Sequence, residues 1–308
     1  MTRQFDVVAL GEAMVEFNQT SPGQPQFLQG FGGDTSNAVI AAARAGARTA
    51  YLTRLGDDSF GHALLQLWRA EGVDSSAVKI DPEAPTGIYF VTHGPQGHEF
   101  SYRRAGSAAS RMTPEWLGEA SGEAIRAAAI LHVSGISMAI STDARDTVLA
   151  AMQLARAAGV QVSLDSNLRL KLWPLEQARP ALEQAIALTD IFLPSLEDLA
   201  TLTGLTDPDA LVDWSHAAGA ASVVLKLGAE GALASDGRSR QRIAPHRVET
   251  VDATGAGDCF GGNLLARLAA GDDLVDAARW ANAAAALAVQ GFGAVAPLPR
   301  PEAVKALL

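Results

Sequence analysis

The sequence predicts an α/β protein in three layers, α/β/α, with a mostly parallel central sheet and a small β-sheet lid. Three observations carry that expectation. From Ala128 onward, short apolar runs alternate with segments of helical period, the order that builds a parallel sheet covered on both faces. Polar residues gather where the predicted strands end, at Asp165-Ser166-Asn167-Leu168-Arg169, Pro194-Ser195, Lys226–Gly231 and Gly255–Asp258. Folds of this class hold ligands at the C-terminal ends of strands. The stretch Thr86–Arg104 breaks the alternation with two arms of period 2 around a Gly/Pro turn.

Phe5–Leu10 is apolar almost throughout and reads as a buried strand. Met14–Phe17 reads as a second, more exposed strand, broken off by Ser21-Pro22-Gly23. Asp34 suits a helix N-cap, so a helix is expected over Thr35–Ala45 with Gly46 as its stop. Gly32-Gly33 before it is either a tight helix entry or a place where a ligand meets bare backbone. Thr49–Thr53 is a short strand, and Asp58 or Ser59 caps a helix over Phe60–Glu71. The hairpin arms are Gly87–Thr92 and Glu99–Arg104, joined by a turn at His93–His98 whose histidines are read as loop residues. Period 2 puts Phe100, Tyr102 and Arg104 on one face. Further strands are expected at Ala128–Val133, Val160–Asp165, Asp190–Leu193, Ser222–Lys226, Ala232–Ser235 and Arg242–Val251. The helices between and after them are Asp143–Ala158, Leu175–Leu188, Leu196–Leu202, Asp207–Gly219, Ala256–Leu268 and Leu274–Val289. No linker or repeat divides the chain, so residues 1–308 are expected to form a single domain, with lid strands from about 12–30 and 86–104.

The chain has 308 residues, 48% of them hydrophobic, enough for one large α/β core. A net charge of −10 argues against nucleic acid, whose phosphates need a basic surface. The single cysteine, Cys259, excludes an internal disulfide and a cysteine-based metal cluster, and it reads as a small packed helix residue. The longest apolar run, Ala283–Val289, falls short of the ~20 residues a membrane span needs. No basic region followed by an apolar run opens the chain, so a cytoplasmic location is expected.

Val251-Asp252-Ala253-Thr254-Gly255-Ala256-Gly257-Asp258 is the stretch with the most chemistry in it. Three small residues put bare N–H groups at a helix N-terminus, a place that holds anions. Asp258 would repel a merely bound anion, but it makes sense as the base that deprotonates a nucleophile attacking a phosphate. Helix-terminus electrostatics are expected to keep it ionised at neutral pH. No Gly-Lys-Ser/Thr occurs, so the P-loop solution to phosphoryl transfer is absent. Gly255–Gly261 nearly spells a dinucleotide fingerprint, but the third glycine comes one place late.

Taken together, Gly32-Gly33-Asp34-Thr35-Ser36-Asn37 and Asp252–Asp258 resemble the two signatures of the ribokinase-like (PfkB) sugar kinases. The resemblance implies a ribokinase-like fold, ATP and Mg²⁺ as cofactors, Asp258 as base, and Gly255, Ala256 and Gly257 as the anion hole. It implies that Lys226, Gly228 and Gly231 border ATP, with Asn282 near the adenine. The family's Asn-x-x-Glu motif, tied to Mg²⁺ and phosphate, is altered here to Ser195-Leu196-Glu197-Asp198, which sets Ser195 beside the cofactor. Within the family the likeness is to kinases of 2-keto-3-deoxygluconate, through Tyr102-Arg103-Arg104, Val133–Ser137 and Asp165–Arg169. Arg104 and Arg169 would then hold the carboxylate of an acid sugar. Gly33, Asn37, Tyr89 and Tyr102 would hold its hydroxyls. Fructokinase is the alternative, since Asp165–Arg169 with Leu172-Trp173-Pro174 resembles that group too. A catalytically silent sugar or nucleotide sensor is the reading from a different class. The expected partners are a small sugar acid and ATP, with no nucleic acid or membrane. A homo-oligomer, a dimer or higher, is expected through the exposed edge of the lid.

Overall fold

In a computed structural model of the chain, which describes residues 3–94 and 97–308, nine strands form one sheet. Its order is Arg240–Ile243, Ala232–Ser235, Ser222–Lys226, Ile191–Phe192, Gln161–Asp165, Ala128–Ser134, Phe5–Leu10, Thr49–Leu52 and Val73–Asp74. All neighbours are parallel except the last hairpin, where Ser222–Lys226, Ala232–Ser235 and Arg240–Ile243 pair antiparallel. The first strand shows why the sheet is buried on both sides. Val8 and Leu10 join the core on one face, and Val7 and Ala9 the cores on the other. On one side pack Thr142–Ala157 and Leu175–Ile186, on the other Asp34–Arg44, Ala256–Ala269 and Leu274–Ala288. The expected three-layer α/β/α arrangement is what forms.

The lid is a second sheet of four strands, ordered Phe27–Gly32, Met14–Gln19, Ile88–Gly94 and Gly97–Arg103. Phe27–Gly32 extends the lid strands expected from about 12–30 and pairs with Met14–Gln19 along its whole length. Met14, Val15 and Glu16 are buried rather than exposed: Val15 joins a core cluster of the main body, and Met14 packs with Tyr89 and Val91. His93 lies inside a strand and its ring hydrogen-bonds Asn18 at 2.9 Å, so it is not a loop residue. The turn expected at His93–His98 falls partly on Pro95 and Gln96, which lie outside the described residues.

The strand expected over Arg242–Val251 is shorter and earlier, Arg240–Ile243. Its pairing with Ala232–Ser235 ends at Ile243, and Pro245, which has no N–H to donate, follows soon after. The anion loop is therefore entered from an irregular segment, tied by Val251 N–H and Asp252 N–H to the carbonyl of Val289. Asp34 does not cap its helix; Gly33 is the cap residue and Asp34 begins the helix with its side chain committed elsewhere. Asp58 does cap Ser59–Glu71, accepting from Gly61 N–H at 2.8 Å.

Candidate functional site

Three short polar segments reach the same end of the large sheet, and each supplies an acid with a partner from another element. Asn37, one turn into Asp34–Arg44, donates from Nδ2 to Asp258 Oδ2 at 2.8 Å. Asn167, just past Gln161–Asp165, donates from Nδ2 to Asp34 Oδ2 at 2.9 Å. Lys226, the last residue of its strand, pairs with Asp165 Oδ2 at 2.5 Å. Asn167 holds φ of 32°, the one positive φ at a non-glycine among the described residues, and its own N–H bonds Asp165 Oδ1. Backbone strain of this kind survives where the surroundings enforce it.

Asp258 sits in the first turn of Ala256–Ala269, behind a left-handed Gly255 at φ 74°. Asp252 holds that loop in place, accepting from Thr254 N–H and, across the site, from Gly293 N–H, both at 2.9 Å. A Cβ on Gly257 would stand 3.5 Å from Lys226 Nζ, so the ammonium faces the loop amides. The N-terminal amides and this cation together form an anion cradle.

Asp258 is not held ionised as helix electrostatics alone suggest. Enclosure by protein, then the charges of Asp34 and Asp165, push it up to about 7; the Asn37 hydrogen bond and Lys226 pull the other way. Desolvation outweighs the dipole because the carboxylate is crowded by two further acids. Asp34 is raised as well, by burial first. A carboxyl poised near neutrality is suited to take a proton.

The lid supplies the other wall. Tyr102 is 40% exposed, and Arg104 lies against its ring, with the guanidinium carbon 5.8 Å from the centroid. Burial raises the Tyr102 hydroxyl, while the positive charges of both Arg104 and Arg169 act on it in the opposite sense. Of the two arginines, Arg104 is the one in contact with the tyrosine ring; Arg169, 65 positions on by number (169 − 104), acts there as charge. Arg169 is half exposed, donates to Leu168 O, and lies 3.8 Å from Asp198. Arg104 is nearly enclosed and forms an ion pair with Glu12.

Other expected site residues are placed differently. Tyr89 is buried and donates its hydroxyl to Glu16 Oε2 at 2.6 Å, so that hydrogen is already spent. A Cβ on Gly32 would run into the Tyr89 ring, and one on Gly33 into the backbone of Glu12 and Ala13. The protein's own packing therefore demands both glycines. Ser195 caps the helix Leu196–Thr203 by accepting from Asp198 N–H at 3.1 Å. Asp198 in turn accepts from Ser166 Oγ and Leu168 N–H. Asn282 donates to Ala244 O at 2.8 Å and so anchors the segment after Arg240–Ile243. Gly228 opens the exposed turn Gly228–Glu230, and Gly231 closes it through the Leu227 N–H bond to its carbonyl. Sequence reasoning passed over Glu12, Asp34 and Asn167 as site residues; the signal available was a charged or amide residue directly after a buried strand or at a helix start.

No group of three or more His, Cys, Asp or Glu among the described residues could hold a metal ion. No helix of the described residues is long and apolar enough to cross a membrane.

Comparison with known proteins shows the family. The family described as "pfkB family carbohydrate kinase" matches residues 4–301. The 2-dehydro-3-deoxygluconokinase of Thermoproteus tenax is 36% identical over 98% of this chain and 94% of its own length. An Arabidopsis thaliana protein named "Probable fructokinase-4" is 34% identical over 98% of this chain and 96% of its own. Among solved structures, an Escherichia coli chain provisionally described as ribokinase II, in complex with ATP and Mg²⁺, superposes with a TM-score of 0.90. The identity there is 27%, and the match covers 98% of each chain.

Proposed function

Because this chain belongs to the PfkB family of carbohydrate kinases, we propose that it transfers the γ-phosphate of ATP to the C6 hydroxyl of 2-keto-3-deoxygluconate. The product is 2-keto-3-deoxy-6-phosphogluconate. The observation that carries the choice of substrate is Arg104, nearly enclosed in the lid and set against the Tyr102 ring. A sugar carboxylate needs a cation, and guanidinium groups match it with paired N–H donors.

The residues fit a nucleotide. The Gly255–Gly257 amides and Lys226 form a cradle for phosphate oxygens, and the Gly228–Gly231 turn lies directly after Lys226. Mg²⁺ arrives with phosphates and keeps several of its waters, so it asks for only one or two protein oxygens. Asp165, Asp198 and Ser195 are the side chains nearest in chemistry to that task. Bound MgATP supplies the phosphoryl group and neutralises part of its charge. The chain's own residues do the rest. Arg104, Arg169 and Tyr102 orient the sugar acid, with Asn37 and the backbone of Gly33 beside it. Asp258 takes the proton from the attacking hydroxyl as it reaches phosphorus. The Gly255–Gly257 amides stabilise the charge that develops on the transferred group. Residues 1–308 act as one kinase domain closed by the four-stranded lid. The lid's outer edge, Phe27–Gly32 with exposed Leu28, supports pairing with a second copy.

Initial rates with MgATP on 2-keto-3-deoxygluconate and on fructose test this reading; a clear preference for fructose overturns it. Fructokinase is the second reading, favoured by the plant relative's 34% identity. A sensor without catalysis would turn over neither sugar.

A further inference from the structure

Glu12 follows the first strand of the large sheet, has no part in the chemistry above, and its side chain is fully enclosed. A carboxylate is buried only where charge and hydrogen bonds compensate it. Both compensations come from the far end of the lid hairpin. Arg104 Nη2 pairs with Oε2, and Ser107 Oγ donates to Oε1 at 2.5 Å. Gly87, where the hairpin begins, leaves the room: a Cβ there would stand 2.8 Å from Oε1. A side chain just past the first strand of the large sheet is thus plugged into a socket built from both ends of the lid hairpin.

Arg104 in turn is 10% exposed, and Glu12 is its one carboxylate partner among the described residues. Its Nε and Nη2 are both buried without a hydrogen-bond partner, and Nη2 meets Glu12 Oε2 as an ion pair alone. A free arginine must give up rotamer freedom before it can grip a ligand. One already held loses that freedom on folding instead, and binding gains accordingly.

We propose that Glu12 is a positioning residue for Arg104, holding the guanidinium by Nη2 so that its Nη1 donors meet the substrate, and that it thereby sets the preference for a sugar acid over a neutral ketose. This rests on the reading of the substrate as an acid. The contribution is geometric. In charge alone, Glu12 works against an anionic ligand. That opposition separates two substitutions. Glu12→Ala removes both geometry and charge. Glu12→Gln keeps the geometry, since its amide oxygen accepts from Arg104 and its NH₂ donates to the Ser107 oxygen.

The test is steady-state kinetics of wild type, Glu12→Ala, Glu12→Gln and Ser107→Ala with 2-keto-3-deoxygluconate and fructose, alongside thermal melts. Glu12→Ala is expected to raise KM for the acid at least ~10-fold, with kcat and the KM values for fructose and ATP within ~3-fold. Glu12→Gln is expected to hold KM for the acid at or below the wild-type value. The proposal is overturned if Glu12→Ala leaves that KM unchanged, if it raises both sugars' KM alike, or if Glu12→Gln loses as much as Glu12→Ala. Should Glu12→Ala not fold, Ser107→Ala keeps the ion pair and removes one anchor. It is expected to raise KM for the acid alone, by ~3-fold, about what one hydrogen bond contributes; no rise overturns the proposal. A wild type that prefers fructose defeats the substrate reading, and acid preference with it, before any variant is measured. A wild type that prefers the acid, with an indifferent Glu12→Ala, defeats the clamp alone.

Discussion

Asn37 Nδ2 donates to Asp258 Oδ2 over 2.8 Å, and that bond joins the two helix starts on which the site is built. It fixes which carboxylate oxygen is engaged and leaves Oδ1 for a substrate hydroxyl. Asp258→Asn should retain ATP binding while kcat falls at least ~10²-fold, the usual range for a proton-transfer group. Rates on 2-keto-3-deoxygluconate and calorimetric ATP titration check it; near-normal turnover removes Asp258 from the role of base.

The pH profile should show the same group. Asp258 accepts a proton only when ionised, and its surroundings push it up to about 7. The kcat/KM therefore falls below about pH 7, approaching tenfold per unit, since that parameter reports the free enzyme. Two variants move the limb in opposite directions. Asn37→Ala removes a bond that lowers Asp258, so the limb shifts to higher pH. Asp34→Asn removes a negative charge that raises it, so the limb shifts to lower pH. Shifts of the same sign would contradict this electrostatic account.

Much of this site was legible before the fold was known, and the reason is local. Gly255–Asp258 and Gly32–Asn37 carry their geometry in adjacent residues, so sequence order is enough to read them. The parallel strands were legible from apolar runs such as Phe5–Leu10 and Ala128–Val133, which are buried on both faces. The misplaced strand at Arg242–Val251 shows the limit: its pairing partner, not its composition, ends it at Ile243. Glu12–Arg104 and Asp34–Asn167 were illegible because each contact spans many residues, 133 in the second case, and nothing near either residue reports the other. The pressure on Asp258 was hidden for the same reason, since Asp34 and Asp165 reach it only through the fold.

Arg104→Ala should separate substrates by charge. It removes a cation from the lid side of the cleft, so kcat/KM for the acid sugar should fall by at least ~10² while a neutral ketose changes little, the range expected for a buried charge-assisted contact. The same change strands Glu12 in a closed socket, and breaking a buried pair from one side costs about 3–5 kcal/mol. A lowered Tm is therefore expected together with the selective loss. Equal losses on both sugars at an unchanged Tm would remove both the carboxylate anchor and the pairing with Glu12.

His132 offers a test of stability that does not touch the reaction. It lies inside Ala128–Ser134, buried, with Nδ1 3.1 Å from Ser163 Oγ. Burial, and then the charge of Lys226, lower it from 6.5 to about 3. Below pH 6.5 the unfolded chain binds a proton at this residue that the folded protein refuses down to about 3. Its neutral form therefore adds full stability above 6.5, and that stability drains as pH falls through this window. Asp258 and Asp34, both raised, titrate in the opposite sense, but they are present in wild type and variant alike and cancel in a difference. The Tm advantage of wild type over His132→Asn should thus be largest near pH ~8 and shrink steadily toward pH ~5. Melting curves that stay parallel across that range would mean His132 binds its proton alike in the folded and unfolded chain, so that its burial is not felt.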